Sequence, residues 1–126
     1  MLINRLVHQN VETLQEHAML TAFYHSVATK KHFDCLVNMS NMLNVAAQTK
    51  QLDNLASYVD RINVLSASIL AQYERAGDFN VPSDGIVAIK DFVAFYEAFW
   101  QRQTTTFYND CGYELNLFYD ELENAA

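Results

Sequence analysis

Turn-forming residues are scarce: the 126 residues include three glycines and a single proline. A β-sandwich needs turn chemistry every ~8–12 residues, which this chain cannot supply. Two cysteines, Cys35 and Cys111, are too few for a disulfide scaffold. No run reaches the ~18 apolar residues of a membrane span. The opening MLINRLVHQN lacks the apolar region of a secretory signal. A cytosolic protein with free thiols and no membrane association is the expectation. From Gln103 onward Lys and Arg are absent, against five acids. Residues 1–75 carry six acids and six bases, whereas residues 76–126 carry nine acids and two bases and hold the whole net charge of −7. Such a surface repels phosphate backbones, so direct nucleic-acid binding is disfavoured. The same charge either suits a protein partner with a basic surface or simply solvates the end of the chain.

Half of the chain is hydrophobic, at 51%, which suffices for one domain with a real core. With few turns and long uninterrupted stretches, the expected fold is all-α: a single helical bundle of four to five helices spanning 1–126. A first helix within Leu2–Thr29 carries Leu6, Val7, Val11, Leu14, Ala18, Ala22 and His25 along one side, with Asn10 able to cap a second start inside it. A second, about His32–Gln48, uses Phe33, Leu36, Val37, Ser40, Leu43 and Ala47; a third, about Leu52–Ala76, uses Leu55, Ala56, Val59, Ile62, Ser66, Ile69, Leu70 and Tyr73. The segment IVAIKDFVAFYEAFW is apolar on most sides, which predicts a central helix or one that exposes a face to a partner. QTTT bends the chain before a last helix holding Phe107, Tyr108, Cys111, Leu115, Phe118, Tyr119 and Leu122.

The stretch ERAGDFNVPSDG, residues 74–85, invites comparison with a calcium loop. Asp78 and Asn80 match the first and third ligand positions. Pro82 then occupies the fifth, Ser83 replaces the obligatory glycine, and Ile89 replaces the closing glutamate. A hinge explains every residue: Gly77 as a left-handed cap, Pro82 holding Val81 extended, and Ser83 or Asp84 capping the next helix. Phe79 and Val81 are expected to tuck beneath the turn, and the helices on either side to be antiparallel neighbours.

Chemistry-bearing patterns are few. The histidines, His8, His17, His25 and His32, include no H-E-x-x-H pair and no Glu-x-x-His. There is no G-x-S-x-G, no P-loop and no dinucleotide fingerprint. His32 and Cys35 lie one helical turn apart, so with Cys111 they define one enzymatic or metal-binding alternative. Asp110 beside Cys111 raises that thiol's pKa, the wrong direction for a nucleophile. No cofactor and no catalytic residue is expected.

Two stretches read as interaction surfaces. NMSNMLNVAAQ sets Asn38, Asn41, Asn44 and Gln48 on one side of the second helix, with Asp34 a turn earlier and Met39 and Met42 beside them; such residues either adapt to a partner or form an ordinary polar face. FYNDCGYELNLFYDELE interleaves aromatics with acids and has no base. There, Phe107, Leu115 and Phe118 are assigned to the core. Tyr108, Tyr113 and Tyr119, with Asp110, Glu114, Asp120 and Glu121, are assigned to a partner.

The run LASYVDRINVLSASILAQYERAGDFNVPSDGIVAIKDFVAFYEAFW, Leu55–Trp100, resembles a pattern in small all-helical accessory proteins of phages and other mobile elements. In these a helix ending near YERAG is followed by a short aromatic-containing turn and another amphipathic helix. The resemblance implies a cytosolic protein that binds a host or defence protein, as anti-CRISPR inhibitors do, and it carries over no site residues. The leading expectation is a non-enzymatic protein-binding module, an inhibitor of a host nucleic-acid-binding complex. A structural homodimer packed through the aromatic helix is the other alternative.

Overall fold

Five helices make up most of the described residues: α1 (Leu2–Tyr24), α2 (Lys30–Thr49), α3 (Asp53–Ala76), α4 (Ser83–Gln101) and α5 (Thr105–Ala125). The computed structural model describes residues 2–125, with side chains described from residue 13 onward. The described residues contain no strand, and the fold is the all-α bundle that the scarcity of turn residues implies. α1 passes Asn10 without a break. The expected positions Leu6, Val7, His8 and Val11 lie outside the described side chains.

Three helices end in a residue with left-handed backbone, and glycine fills only one of these positions. Gly77 closes α3 at φ 78°, its N–H donating to the Tyr73 carbonyl at 2.8 Å. Ser26 (φ 57°) follows α1 and Gln51 (φ 56°) follows α2. In both cases the next N–H reaches back five residues, Val27 to the Ala22 carbonyl at 2.9 Å and Leu52 to the Ala47 carbonyl at 2.8 Å. That is the Schellman closure, which satisfies carbonyls that the helix itself leaves open. At the other ends, the Thr29 N–H donates to His32 Nδ1 at 2.9 Å, one arm of a capping box with histidine in the acceptor's place. Thr104 Oγ1 accepts from the Phe107 N–H at 3.1 Å and caps α5.

α2 is the hub. It packs against α1, α3 and α5, whereas the main neighbour of α4 is α1. The sequence places α4 at the centre because of its aromatics. Its inward side is indeed buried at Ile89, Phe92, Val93, Tyr96 and Trp100, but Val87 faces outward and Phe95 is only partly covered. α2 can take three neighbours because its buried positions include Ser40, Ala46 and Ala47, small enough for close approach. Met39 and Met42, read from sequence as part of a partner surface, are buried in this core instead. Ser40 Oγ donates to Asn63 Oδ1 at 2.9 Å and ties α2 to α3.

Among the described side chains, α1 docks through a stripe that shares only Ala22 with the expected one. Glu16, Met19, Ala22 and Phe23 are buried, while Leu14 is 70% exposed and Ala18 and His25 are exposed too. Met19 and Phe23 are fully buried, and burying each contributes ~1.5–3 kcal/mol. His17 Nε2 stands 2.9 Å from Glu97 Oε1, linking α1 to α4.

The 77–82 connection is the expected hinge. Asp78 Oδ1 accepts from the Asn80 N–H at 3.0 Å and from Gln72 Nε2 at 3.1 Å, so that oxygen is held inside the turn. Phe79 is buried and stacks on Tyr73 (4.3 Å, 6°) and on Phe33 (5.4 Å, 20°). Val81 is half-buried. Pro82, rather than Ser83 or Asp84, occupies the cap position, because its fixed φ of −65° already leads into the helix. α3 and α4 meet through rings, with Tyr58 4.3 Å from Phe95 and 6.2 Å from Phe92. The two backbones do not otherwise pack closely, so α3 and α4 are joined by the hinge without being the close neighbours expected.

Candidate interaction surface

α5 runs antiparallel to α2. Lys50 at the end of α2 donates to Gln103 Oε1 at 2.9 Å and sits 4.1 Å above the Phe107 ring. Two turns along, Cys111 and Leu115 are buried against the hub. Farther still, the Tyr119 hydroxyl accepts from Asn41 Nδ2 at 3.0 Å and donates to Asn38 Oδ1 at 3.1 Å. The two surfaces read separately from the sequence therefore meet, and three of their polar groups are engaged with one another. Tyr108 is half-buried, edge-on to Trp100 with ring centroids 4.9 Å apart.

What remains open on α5 is different from what the sequence selects. Helical geometry sets Phe118 and Leu122 on the same side as Cys111 and Leu115. Yet Phe118 is 51% and Leu122 54% exposed, so the apolar side of α5 continues past its support. Phe118, expected in the core, is a surface residue for this reason. Tyr113, at 65% exposure, is open as expected, and Leu117 joins it. Leu117 and Leu122 escaped sequence reasoning as surface residues, since apolar spacing alone does not say where a neighbouring helix ends.

The acids of α5 lie at the surface: Asp110, Glu114, Asp120, Glu121 and Glu123 are all exposed. Among the described residues none of them takes part in an ion pair. Asp120, Glu121 and Glu123 stand in the last turns of α5, where the helix's own dipole is negative and no base compensates. Each such placement costs about 0.3–1 kcal/mol at an exposed site in low salt.

Two clefts flank α5. The larger, about 660 Å³, lies between α5 and the amide side of α2. Its α2 wall presents Asn41, Asn44, Val45 and Gln48, and its α5 wall presents Asp110, Cys111, Glu114, Leu115 and Phe118. The second, about 510 Å³, lies on the opposite side of α5 and is lined by Glu16, Cys35, Asn38, Tyr96 and Tyr108 among others. Gly112 borders it, and a Cβ there would meet nothing within 4 Å.

This division separates the thiols. Cys35 borders the smaller cleft and Cys111 the larger, and His32 borders neither, being held in the cap of α2. Burial, aided by Glu16, pushes the Cys35 thiol above its usual pKa. Burial and then Asp110 do the same for Cys111. Neither environment favours a thiolate at neutral pH. Among the described residues no three His, Cys, Asp or Glu side chains are grouped to hold a metal ion. No described helix is long and apolar enough to cross a membrane. Comparison with models of protein families, with curated proteins and with solved structures finds no match to the chain.

Proposed function

We propose that this protein is a protein-binding module that engages a partner's basic surface through α5. The observation that carries the reading is the outer part of α5, where exposed Tyr113, Leu117, Phe118 and Leu122 alternate with five acids that no base answers. Exposed apolar and aromatic side chains supply contact area, and the acids supply steering and selectivity. A partner that handles nucleic acid exposes the basic surface this helix complements, so occupying that surface would compete with nucleic acid. Inhibition of a host nucleic-acid-binding or defence complex is the activity that follows from this reading.

Site-specific photo-crosslinking tests it. A crosslinker is placed at position 113 or 118, and at exposed Val64 on α3 as the control. Adducts formed in host lysate are mapped by mass spectrometry. The expected result is enrichment at 113 and 118 over 64, on Lys/Arg-rich surfaces, diminished by high salt. Equal adducts from position 64, or adducts on acidic surfaces, would overturn the reading.

A further inference from the structure

We infer that the 660 Å³ cleft between α2 and α5 receives a basic amphipathic helix of the partner, a proposal that rests on the reading above and gives it a geometry. The cleft is open to solvent and bounded by two antiparallel helices, so it can take one face of a docking helix. Its apolar lining comes from Val45, Leu115 and Phe118. Asp110 and Glu114 stand one turn apart on the α5 wall, so their Cβ atoms are ~6 Å apart. Lys or Arg side chains four residues apart on a docking helix match that spacing. On the α2 wall, Asn44 and Gln48 are uncharged and can donate or accept along the rim. Helix-in-groove docking uses this combination of apolar anchors and flanking charge.

Charge also selects the occupant and its direction. A second copy would bring another α5, with five acids and no base, against the first, and like charges disfavour that pairing. A helix N-terminus carries partial positive charge, which suits the end of the cleft toward the C-terminal turns of α5, where the helix's own dipole is negative and no base compensates. Its C-terminus suits the other end, where Lys50 sits above Phe107. The docked helix therefore runs antiparallel to α5 and parallel to α2.

The experiment is a titration of the isotope-labelled full chain, followed by NMR at low salt. The probe is a synthetic amphipathic peptide of about 18 residues, five turns, with leucines along one side and lysines elsewhere. One control has the same composition in scrambled order, and a second replaces every lysine by glutamate. The expected outcome is saturable shifts at Asn44, Val45, Gln48 and Phe118 with the first peptide alone. Phe118→Ala, or the pair Asp110→Asn and Glu114→Gln, then weakens binding about tenfold, as loss of an anchor does. These residues are partly or fully exposed, and unchanged circular dichroism verifies the fold of each variant.

If the scrambled peptide binds as well and the variants bind normally, the cleft proposal fails while the basic-partner reading stands. The cleft proposal also fails if the amphipathic peptide shifts another face. Should the glutamate peptide bind equally, or none bind, both fall. A concentration-dependent dimer abolished by Phe118→Ala would assign the cleft to a second copy and overturn the proposal.

Discussion

Tyr119 and Asn41 hold α5 to the hub helix. The phenol oxygen accepts from Asn41 Nδ2 at 3.0 Å, and its O–H donates to Asn38 Oδ1 at 3.1 Å. Tyr119→Phe removes both bonds and leaves two amides to water. The expected loss is about 1 kcal/mol, since the site is only part-buried and each such bond contributes ~0.5–1.5 kcal/mol net. Urea denaturation followed by circular dichroism measures it. An unchanged midpoint would mean that water replaces the hydroxyl without cost.

Glycine placement gives a second test, because two left-handed positions lack glycine and one helical glycine is crowded. Ser26→Gly and Gln51→Gly relieve left-handed strain and are expected to stabilise by about 0.5–1 kcal/mol each, net of the added freedom of the unfolded chain. Gly85→Ala goes the other way. Its Cβ would overlap Val81 Cγ1, so overpacking of ~1–3 kcal/mol outweighs the better helix propensity of alanine. Thermal melts of the three variants should bracket the parent, with Gly85→Ala lowest. A Gly85→Ala melt at or above the parent's would show that Val81 rotates away freely.

Phe79 should be the most sensitive of these positions. Its ring lies between Tyr73 of α3 and Phe33 of α2, so truncation opens a space at the junction of two helices and the hinge. Phe79→Ala is expected to cost ~3–5 kcal/mol. Phe79→Leu keeps much of the volume and should cost less, and the order of the two denaturation midpoints is the check.

The hinge also sets a pH dependence. Hydrogen bonds from Gln72 and then from the Asn80 N–H hold the Asp78 carboxyl below its ordinary pKa, with a smaller contribution from Arg75. A depressed folded-state pKa means the carboxylate contributes stability above its unfolded value. That contribution is lost as pH falls through the folded value. Carbon-detected NMR titration should find Asp78 titrating below the ordinary aspartate range, with Asn80 amide shifts following the same curve. Gln72→Ala should move the Asp78 midpoint upward, and an unmoved midpoint would remove the assigned cause.

The hinge was readable because glycine and proline act through backbone dihedrals, whatever surrounds them. Gly77 is left-handed and Pro82 leads into α4 as the residue types require. The inward stripes of α2 and α3 were also legible, since Leu36, Leu43, Val59 and Ile62 recur at helical spacing with polar residues opposite. α1 was not, because Leu14 and Ala18 offer a second stripe beside Met19 and Phe23, and only docking chooses between them. Glu16 in the buried stripe disguised it further. The candidate surface was half legible: the acids and Tyr113 stand outside as read. Tyr119, Asn38 and Asn41 face one another, a pairing between residues about 80 positions apart that no local pattern announces.

Trp100 has a practical consequence. It is the chain's single tryptophan, buried where α4 turns into α5, with the rings of Phe107 and Tyr108 at 6.0 and 4.9 Å. Light absorbed and re-emitted at this indole therefore reports on whether the last helix is seated, with no dye and no label. A red shift of its emission that precedes the loss of helical signal would mean α5 lets go first. The protein thus carries its own optical gauge for the helix on which its proposed partner would act.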